Sequence, residues 1–200
     1  LQSASLTLFI PSSKENTMGL DMFLNATCYI LNESPSTEIS NLVGIPFPNA
    51  EVRENTVTVM SWRKANAIHN WFITNCGNGE DDCQPIPVSI DHLTKLRNLC
   101  KRVLDHSTLI PALIKNGTRY TRNSDGEMVA TPIIEDGQTI ANPSYAKRYL
   151  PTTSGFFFGS TDYDQYYYDD VKETYEALDA ILKIPQDELN KWDFTYRASW

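Results

Sequence analysis

The chain has 200 residues and a formal net charge of −8, from 25 Asp and Glu against 17 Lys and Arg. This acidic balance argues against binding to duplex DNA, which needs a surplus of Lys and Arg, and it permits an acidic face that meets a basic partner. The length suits one domain with a sizeable core, and no apolar run approaches the roughly 20 residues that span a bilayer. We therefore expect neither duplex DNA nor a membrane among its partners.

The start of the chain and its cysteines bear on the cellular compartment. The opening segment is mildly apolar but lacks the basic residues of a signal peptide. Four cysteines in a chain of this length do not make a dense disulfide framework. The gap between Cys76 and Cys83 is wider than the spacing typical of structural zinc sites. We expect free thiols, a cytoplasmic protein, and neither a metal nor a cofactor.

The first elements are a lead segment and a strand. Residues 1–17 are interpreted as a flexible lead or an added strand, ahead of a single domain over residues 18–200. In residues 18–25 large apolar side chains occupy every second position, which predicts a half-buried strand. Proline, glycine and short polar residues mark residues 32–55 as a loop. A short strand over residues 57–60 follows.

Two helices are predicted in the middle of the chain. Residues 61–73 have apolar positions at spacings of three and four, which indicates a helix. A turn-rich loop separates it from a second helix that begins near Ser89 or Asp91. Residues 107–148 show weak periodicity, with a turn at Ser124–Gly126 and a short extended piece at residues 131–137 ahead of another turn.

The C-terminal part is predicted to be helical. A helix begins at Asp169 or Asp170, where acids favour the positive end of the helix dipole, and ends before Pro185. A last helix covers residues 186–198. The predicted class is α+β, with several helices packed on a small, mainly antiparallel sheet.

The most unusual segment, residues 150–170, combines seven of the 18 Phe and Tyr residues with four aspartates, two glycines and several hydroxyl groups. A core strand has no need of so many polar groups, and a plain loop has no need of so many rings. The segment therefore predicts the wall of a site or an interface. The candidates for ligand binding within it are Ser160, Thr161, Asp162 and Tyr163.

Two chemistries are open for this segment. Backbone amides at Ser160 and Thr161 could receive a phosphate or carboxylate, although no Lys follows as in a phosphate-binding loop. Asp162 and Asp164 would share a face if extended and could hold Mg²⁺ with Asp169. A turn with solvated aspartates would have the same sequence.

The predicted helix over residues 61–73 carries a second candidate. On a helix, Arg63, Asn66, His69 and Asn70 would form one polar patch edged by Trp62. Asn and His are poor choices for a merely solvated face, where Glu and Lys favour the helix more. The alternative is a solvated face with a structural histidine.

Three blocks of sequence, Met18–Leu24, Trp62–Phe72 and Leu150–Tyr168, are specific in their wording. Together with the acidic link at residues 79–83 they resemble an uncharacterised family of small bacteriophage and prophage proteins, and the resemblance covers roughly residues 18–183. It implies a phage or prophage origin and therefore a place in the host cytoplasm. It implies no activity.

Two functions follow as hypotheses. The first is a non-enzymatic phage protein that engages a host protein or sequesters a nucleotide-like ligand, as a means to counter host defence. The second is a small enzyme acting on a phosphate-containing substrate, with His69 as the general base and Asp162 and Asp164 binding a metal. Both require the predicted polar patch to lie beside the segment 155–168.

Overall fold

The computed structural model describes residues 19–29, 53–155 and 157–200. These residues form an α+β fold of two antiparallel sheets and five helices, which confirms the predicted class. The expectations for residues 1–17 and for the loop as far as residue 52 lie outside the described residues.

The larger sheet has four strands in the order β2-β1-β6-β3, and every neighbouring pair is antiparallel. Its strands are β1 (Asp21–Tyr29), β2 (Glu54–Arg63), β3 (Ile86–Val88) and β6 (Asp193–Ser199). In β1 the side chains of Met22, Leu24 and Ala26 are buried while Phe23 is exposed. The predicted alternation is therefore confirmed, and it directs one face of the sheet into the core.

The helices cover that face. They are α1 (Asn66–Asn75), α2 (Ile90–Asp105), α3 (Ser144–Tyr149), α4 (Gln165–Ile181) and α5 (Gln186–Leu189). The predicted start of the second helix is confirmed, because the Ser89 side chain accepts a hydrogen bond from the His92 backbone N–H. Leu93, Leu96 and Val103 on α2 join Val171 and Leu178 on α4 in the core.

The predicted helix over residues 61–73 is wrong at its beginning. Residues 61–63 end the strand β2 and pair with β1, and α1 begins only at Asn66. Between them Lys64 adopts a positive φ of 64°, so the chain turns sharply from strand to helix. In β2 Trp62 is buried while Ser61 and Arg63 are exposed, a period of two that continues the strand pattern.

The predicted final helix over residues 186–198 is also mostly wrong. Only the short α5 is helical, and β6 takes its place between β1 and β3. Phe194, Tyr196 and Ala198 are buried and alternate with more exposed residues. Such alternation is typical of a strand. In a short segment, packing against the neighbouring strands outweighs a local preference for a helix.

Residues 107–148 contain a structure that the weak periodicity did not indicate. β4 (Leu109–Arg122) and β5 (Met128–Ile140) form a long antiparallel hairpin, the second sheet, with the predicted turn at its tip. Most of the hairpin is exposed on both faces, so neither strand carries the buried-face alternation that sequence analysis relies on.

Candidate functional site

Asn66, at the start of α1, holds the loop between α3 and α4 against the body of the protein; its described residues are 151–155 and 157–164, and we call it the aromatic loop. Its amide nitrogen donates to the backbone oxygens of Phe158 and Ser160 at 2.9 and 2.8 Å. Its side-chain oxygen accepts from the Thr153 backbone N–H at 3.1 Å. The predicted proximity of this helix to segment 155–168 is thus confirmed, but Asn66 is buried and these contacts satisfy it within the fold.

His69 is likewise buried, and both of its ring nitrogens have partners. Nδ1 lies 2.7 Å from the hydroxyl oxygen of Tyr196, and Nε2 lies 3.0 Å from the Asp81 carboxylate. Burial raises the pKa of Tyr196 above its ordinary value, so the phenol stays protonated. The ring of His69 also makes an edge contact with Phe158, with centroids 5.0 Å apart.

Trp62 and Arg63 do not share a helical patch with Asn66 and His69, because they lie on β2. The buried Trp62 donates from its indole N–H to the Thr174 hydroxyl on α4 at 2.8 Å. Arg63 forms an ion pair with Asp21 on β1 at 2.8 Å. Asn70 is half-buried on α1 and lines a separate small cavity described below.

The loop ahead of α4 is braced by its own polar groups. The Ser160 hydroxyl donates to Asp162 at 2.8 Å and accepts from the Asp162 backbone N–H. The Thr152 hydroxyl donates to the Thr161 backbone oxygen, and the Thr152 backbone N–H donates to the Tyr163 hydroxyl. The hydroxyl of Ser160 and that of Tyr163 therefore serve the loop conformation.

Gly159 allows this loop to approach the β2–α1 connection. Its φ is +87°, and a Cβ built on it would lie 3.1 Å from the Cβ of Lys64. A larger residue would meet both backbone strain and a close contact there. The loop and the sharp turn at Lys64 are therefore packed directly on each other.

Asp164 is the N-cap of α4, which begins at Gln165 and not at Asp169 or Asp170 as predicted. Its Oδ1 accepts from the backbone N–H groups of Tyr166 and Tyr167. Its Oδ2 is buried and has no hydrogen-bond partner in the described part of the chain. Burial raises the pKa of Asp164, although the two capping N–H groups oppose the rise.

Two cavities adjoin the aromatic loop. The smaller, of about 370 Å³, is lined by His69, Asn70 and Asp81 on one side and by the loop and Trp200 on the other. The larger, of about 900 Å³, lies between the β2–α1 connection, β4, the loop and the start of α4, and we call it the groove. His69 lines only the smaller cavity and Asp162 only the groove, so these two candidates do not meet in one pocket.

The groove has an acidic wall that sequence reasoning recognised only in part. It consists of five carboxylates from the loop and α4: Asp162, Asp164, Asp169, Asp170 and Glu173. Across the described residues none of the five forms an ion pair with a Lys or Arg. Burial raises the pKa of Asp170 to about 7, and its carboxylate neighbours Glu173, Asp169 and Asp164 add to the rise.

Arg63, Lys64 and Lys115 also line the groove. Because Arg63 already pairs with Asp21, two further basic side chains share the groove with five acidic ones. The groove is therefore acidic overall. Glu173 and the two lysines were missed by sequence analysis, since only the tertiary structure brings β4 and the β2–α1 connection beside α4.

One face of the hairpin continues the groove and carries exposed apolar side chains. Residues paired across the hairpin share a face, and so do alternate residues of β5. By this register, one face carries Leu113, Tyr120, Met128 and Ile134, which we call the ridge. They are exposed by 71%, 65%, 59% and 53%, and the first three are the highest values among the described large apolar side chains. Tyr120 also lines the groove, so the two surfaces are continuous.

The described residues contain no group of three or more His, Cys, Asp or Glu side chains that could hold a metal ion. The extended arrangement in which Asp162 and Asp164 would share a face is not formed, because Asp164 caps a helix and Asp162 bonds Ser160. The four cysteines are present as free thiols. Within the same part of the chain, no helix is long and apolar enough to cross a bilayer.

Comparison with models of known families finds no match to this chain. Comparisons with curated proteins and with solved structures find no similar protein either.

Proposed function

We propose that this chain is a non-enzymatic binding protein that engages a partner protein through the groove and the ridge. The observation that carries the proposal is the ridge itself. Four large apolar side chains stand exposed along one face of a hairpin, where the same register also places Lys115, Arg122 and Asp136. Large exposed apolar side chains edged by charged ones are typical of protein interaction sites. A two-stranded hairpin is marginally stable alone in water, so a partner that covers the ridge would also stabilise it.

The charge of the groove favours a protein over a nucleotide-like ligand. A nucleotide brings several negative charges to a cavity where five carboxylates outnumber the basic side chains. Like charges at close range oppose binding, whereas a protein segment can bring compensating cations. On the resemblance to phage proteins, the partner would be a protein of the host cell, engaged to counter host defence.

The proposal excludes catalysis by the candidates that the sequence offered. A general base needs a free ring nitrogen within reach of a substrate, and both nitrogens of the buried His69 already have partners. Asp164 has its Oδ1 committed to the helix cap. The polar groups of the loop thus support a surface and do not assemble a reaction centre.

Site-specific photocrosslinking in bacterial cells tests this function. A photoreactive residue is placed at Leu113 or Met128 on the ridge, or at Glu176 on the exposed side of α4 as the matched control. We expect adducts of one discrete mass from both ridge positions, lost when Ile134 is changed to Lys, and none from Glu176. Equal adducts from all three positions, or none from the ridge, would contradict the proposal.

A further inference from the structure

We propose that the partner contributes a basic amphipathic segment whose Lys or Arg side chains enter the acidic wall of the groove while its apolar side covers the ridge. This inference rests on the proposed function and names the chemistry of the partner. It follows from two independent surfaces that meet at Tyr120, one acidic and one apolar.

The acidic wall has a feature that its own fold does not explain. Asp164 is only 3% exposed, yet its Oδ2 has no hydrogen-bond donor among the described residues. A buried carboxylate oxygen without a partner costs free energy, because it has lost water and gained nothing in return. An ammonium or guanidinium group in the groove would supply the missing donor.

The rest of the wall is complementary to such a cation as well. Asp162, Asp169 and Glu173 are exposed and Asp170 is half-buried, and none of them has a basic partner in the described structure. A partner with several basic side chains can therefore form pairs without displacing existing ones.

The ridge determines the second half of the partner's chemistry. It runs from Leu113 through Ile134 and Tyr120 to Met128 near the hairpin tip, and Tyr120 also lines the groove. A purely polar segment would leave it exposed. A segment with apolar side chains on one side and basic side chains on the other matches both surfaces at once.

Proton release gives an independent signature of cations in the wall. Asp170 lies in the acidic wall with Asp164, Asp169 and Glu173, and burial together with these carboxylates raises its pKa; Arg63, Lys64 and Lys115 line the same groove. With a pKa of about 7 it is roughly half protonated at neutral pH. A cation beside it lowers that pKa, so binding at pH 7 releases about half a proton.

The test uses synthetic peptides of equal length as probes. Two are basic and amphipathic, with Lys and Leu at helical or at alternating spacing; one has the same composition scrambled, and one has Glu in place of Lys. Binding to the full chain is followed by fluorescence anisotropy. We expect one amphipathic basic peptide to bind at least about tenfold more tightly than the scrambled one, and no binding of the Glu peptide.

Variants assign the contacts. Asp170→Asn with Glu173→Gln should weaken the binding of the basic peptide roughly fivefold to twentyfold, and Leu113→Ser with Met128→Ser should weaken it similarly. Glu176→Gln, outside the groove, should change it less than about twofold. Calorimetry at pH 7 in two buffers should show the released proton, and Asp170→Asn should abolish it.

The outcomes separate the two proposals. Binding of the Glu peptide, or of ATP in place of the basic peptides, would overturn the inference about the partner's chemistry. Failure of all the peptides with ridge crosslinks intact would also overturn it, while the protein-binding function would stand. Loss of the ridge crosslinks would overturn the function itself.

Discussion

At the scale of single residues, the side chains that look functional in the sequence are largely structural. Asn66 and His69 are buried, and each uses its polar atoms to join α1 to a neighbouring segment. Glu173, which lines the groove beside Asp170, looks unremarkable in the sequence. Whether a polar side chain is structural or lines the groove depends on its burial, and burial is a property of the folded molecule.

Replacing Asn66 by Ala should destabilise the protein strongly. The change leaves the backbone oxygens of Phe158 and Ser160 and the N–H of Thr153 without this partner. We expect a loss of roughly 2–4 kcal/mol in the free energy of unfolding, since each buried group left unsatisfied costs about 1–3 kcal/mol. Urea denaturation measures it, with the half-buried Asn70→Ala as the control on the same helix. A loss no larger than that of the control would show that Asn66 does not hold the loop.

Asp170 should make the stability of the free protein depend on pH. Its pKa is about 7 in the folded protein and about 3.9 when unfolded, so the folded state binds the extra proton between these values. The contribution of this carboxyl to stability is therefore favourable below about pH 4 and is lost as the pH rises to 7.

The variant Asp170→Asn isolates this effect. At pH 8 we expect it to raise the free energy of unfolding by about 1–2 kcal/mol, after allowance for solvent screening of a half-buried group, and at pH 4 to change it little. Glu176→Gln removes the same charge outside the groove and should show no such dependence. Denaturation curves between pH 4 and 8 measure both, and an equal effect of Asp170→Asn at both ends would refute the raised pKa.

At the scale of elements, α4 depends on the cap that Asp164 provides. Asn at this position keeps an oxygen for the N–H groups of Tyr166 and Tyr167, whereas Ala removes it. We expect Asp164→Ala to be less stable than Asp164→Asn by about 1 kcal/mol in thermal or urea denaturation. The exposed Asp162→Asn should stay within about 0.5 kcal/mol of the parent protein. If the Ala and Asn variants at residue 164 were equally stable, the capping role would be wrong.

The hairpin should be the least protected element of the described structure. Beyond the bulge at residues 115–118 its strands have no core beneath them, and their hydrogen bonds face water. We expect backbone amides of residues 118–132 to exchange at least about 100-fold faster than those of Met22 and Leu24 in the central strand β1. Hydrogen–deuterium exchange measures the ratio. Comparable protection would mean that the ridge is already covered in the free protein, which removes the main argument for a partner.

At the scale of the whole molecule, the cysteines report on the folded state. The Cys100 thiol is fully buried, and burial raises its pKa well above the ordinary range. Burial also raises the pKa of Cys76 to about 11, so at neutral pH both thiols are protonated and unreactive. We expect four thiols in denaturant without reductant, and no reaction of Cys100 in the native protein. Fewer than four in denaturant would indicate a disulfide and contradict the cytoplasmic expectation.

Parts of the fold and of the candidate site were predictable because local patterns carried them. The alternation in β1, the capped start of α2 at Ser89 and the α+β class all follow from residues near one another in the chain. The contact between the first predicted helix and the aromatic loop was also expected, since both have more polar groups than a surface needs. Asn66 was expected to take part in this contact, but its burial and its role in holding the loop were not expected.

The sequence by itself determined the acidic balance, the apolar periodicity of the core elements and the unusual aromatic and acidic segment. Only the tertiary structure decided that β6 enters the central sheet, because pairing with β1 outweighs the local preference of this short segment for a helix. Only the fold brings Lys64 and Lys115 into one groove with the carboxylates of α4, from segments far apart in the chain. Burial and the pKa of Asp170 depend on that assembly, since desolvation arises from neighbours in space and not in sequence.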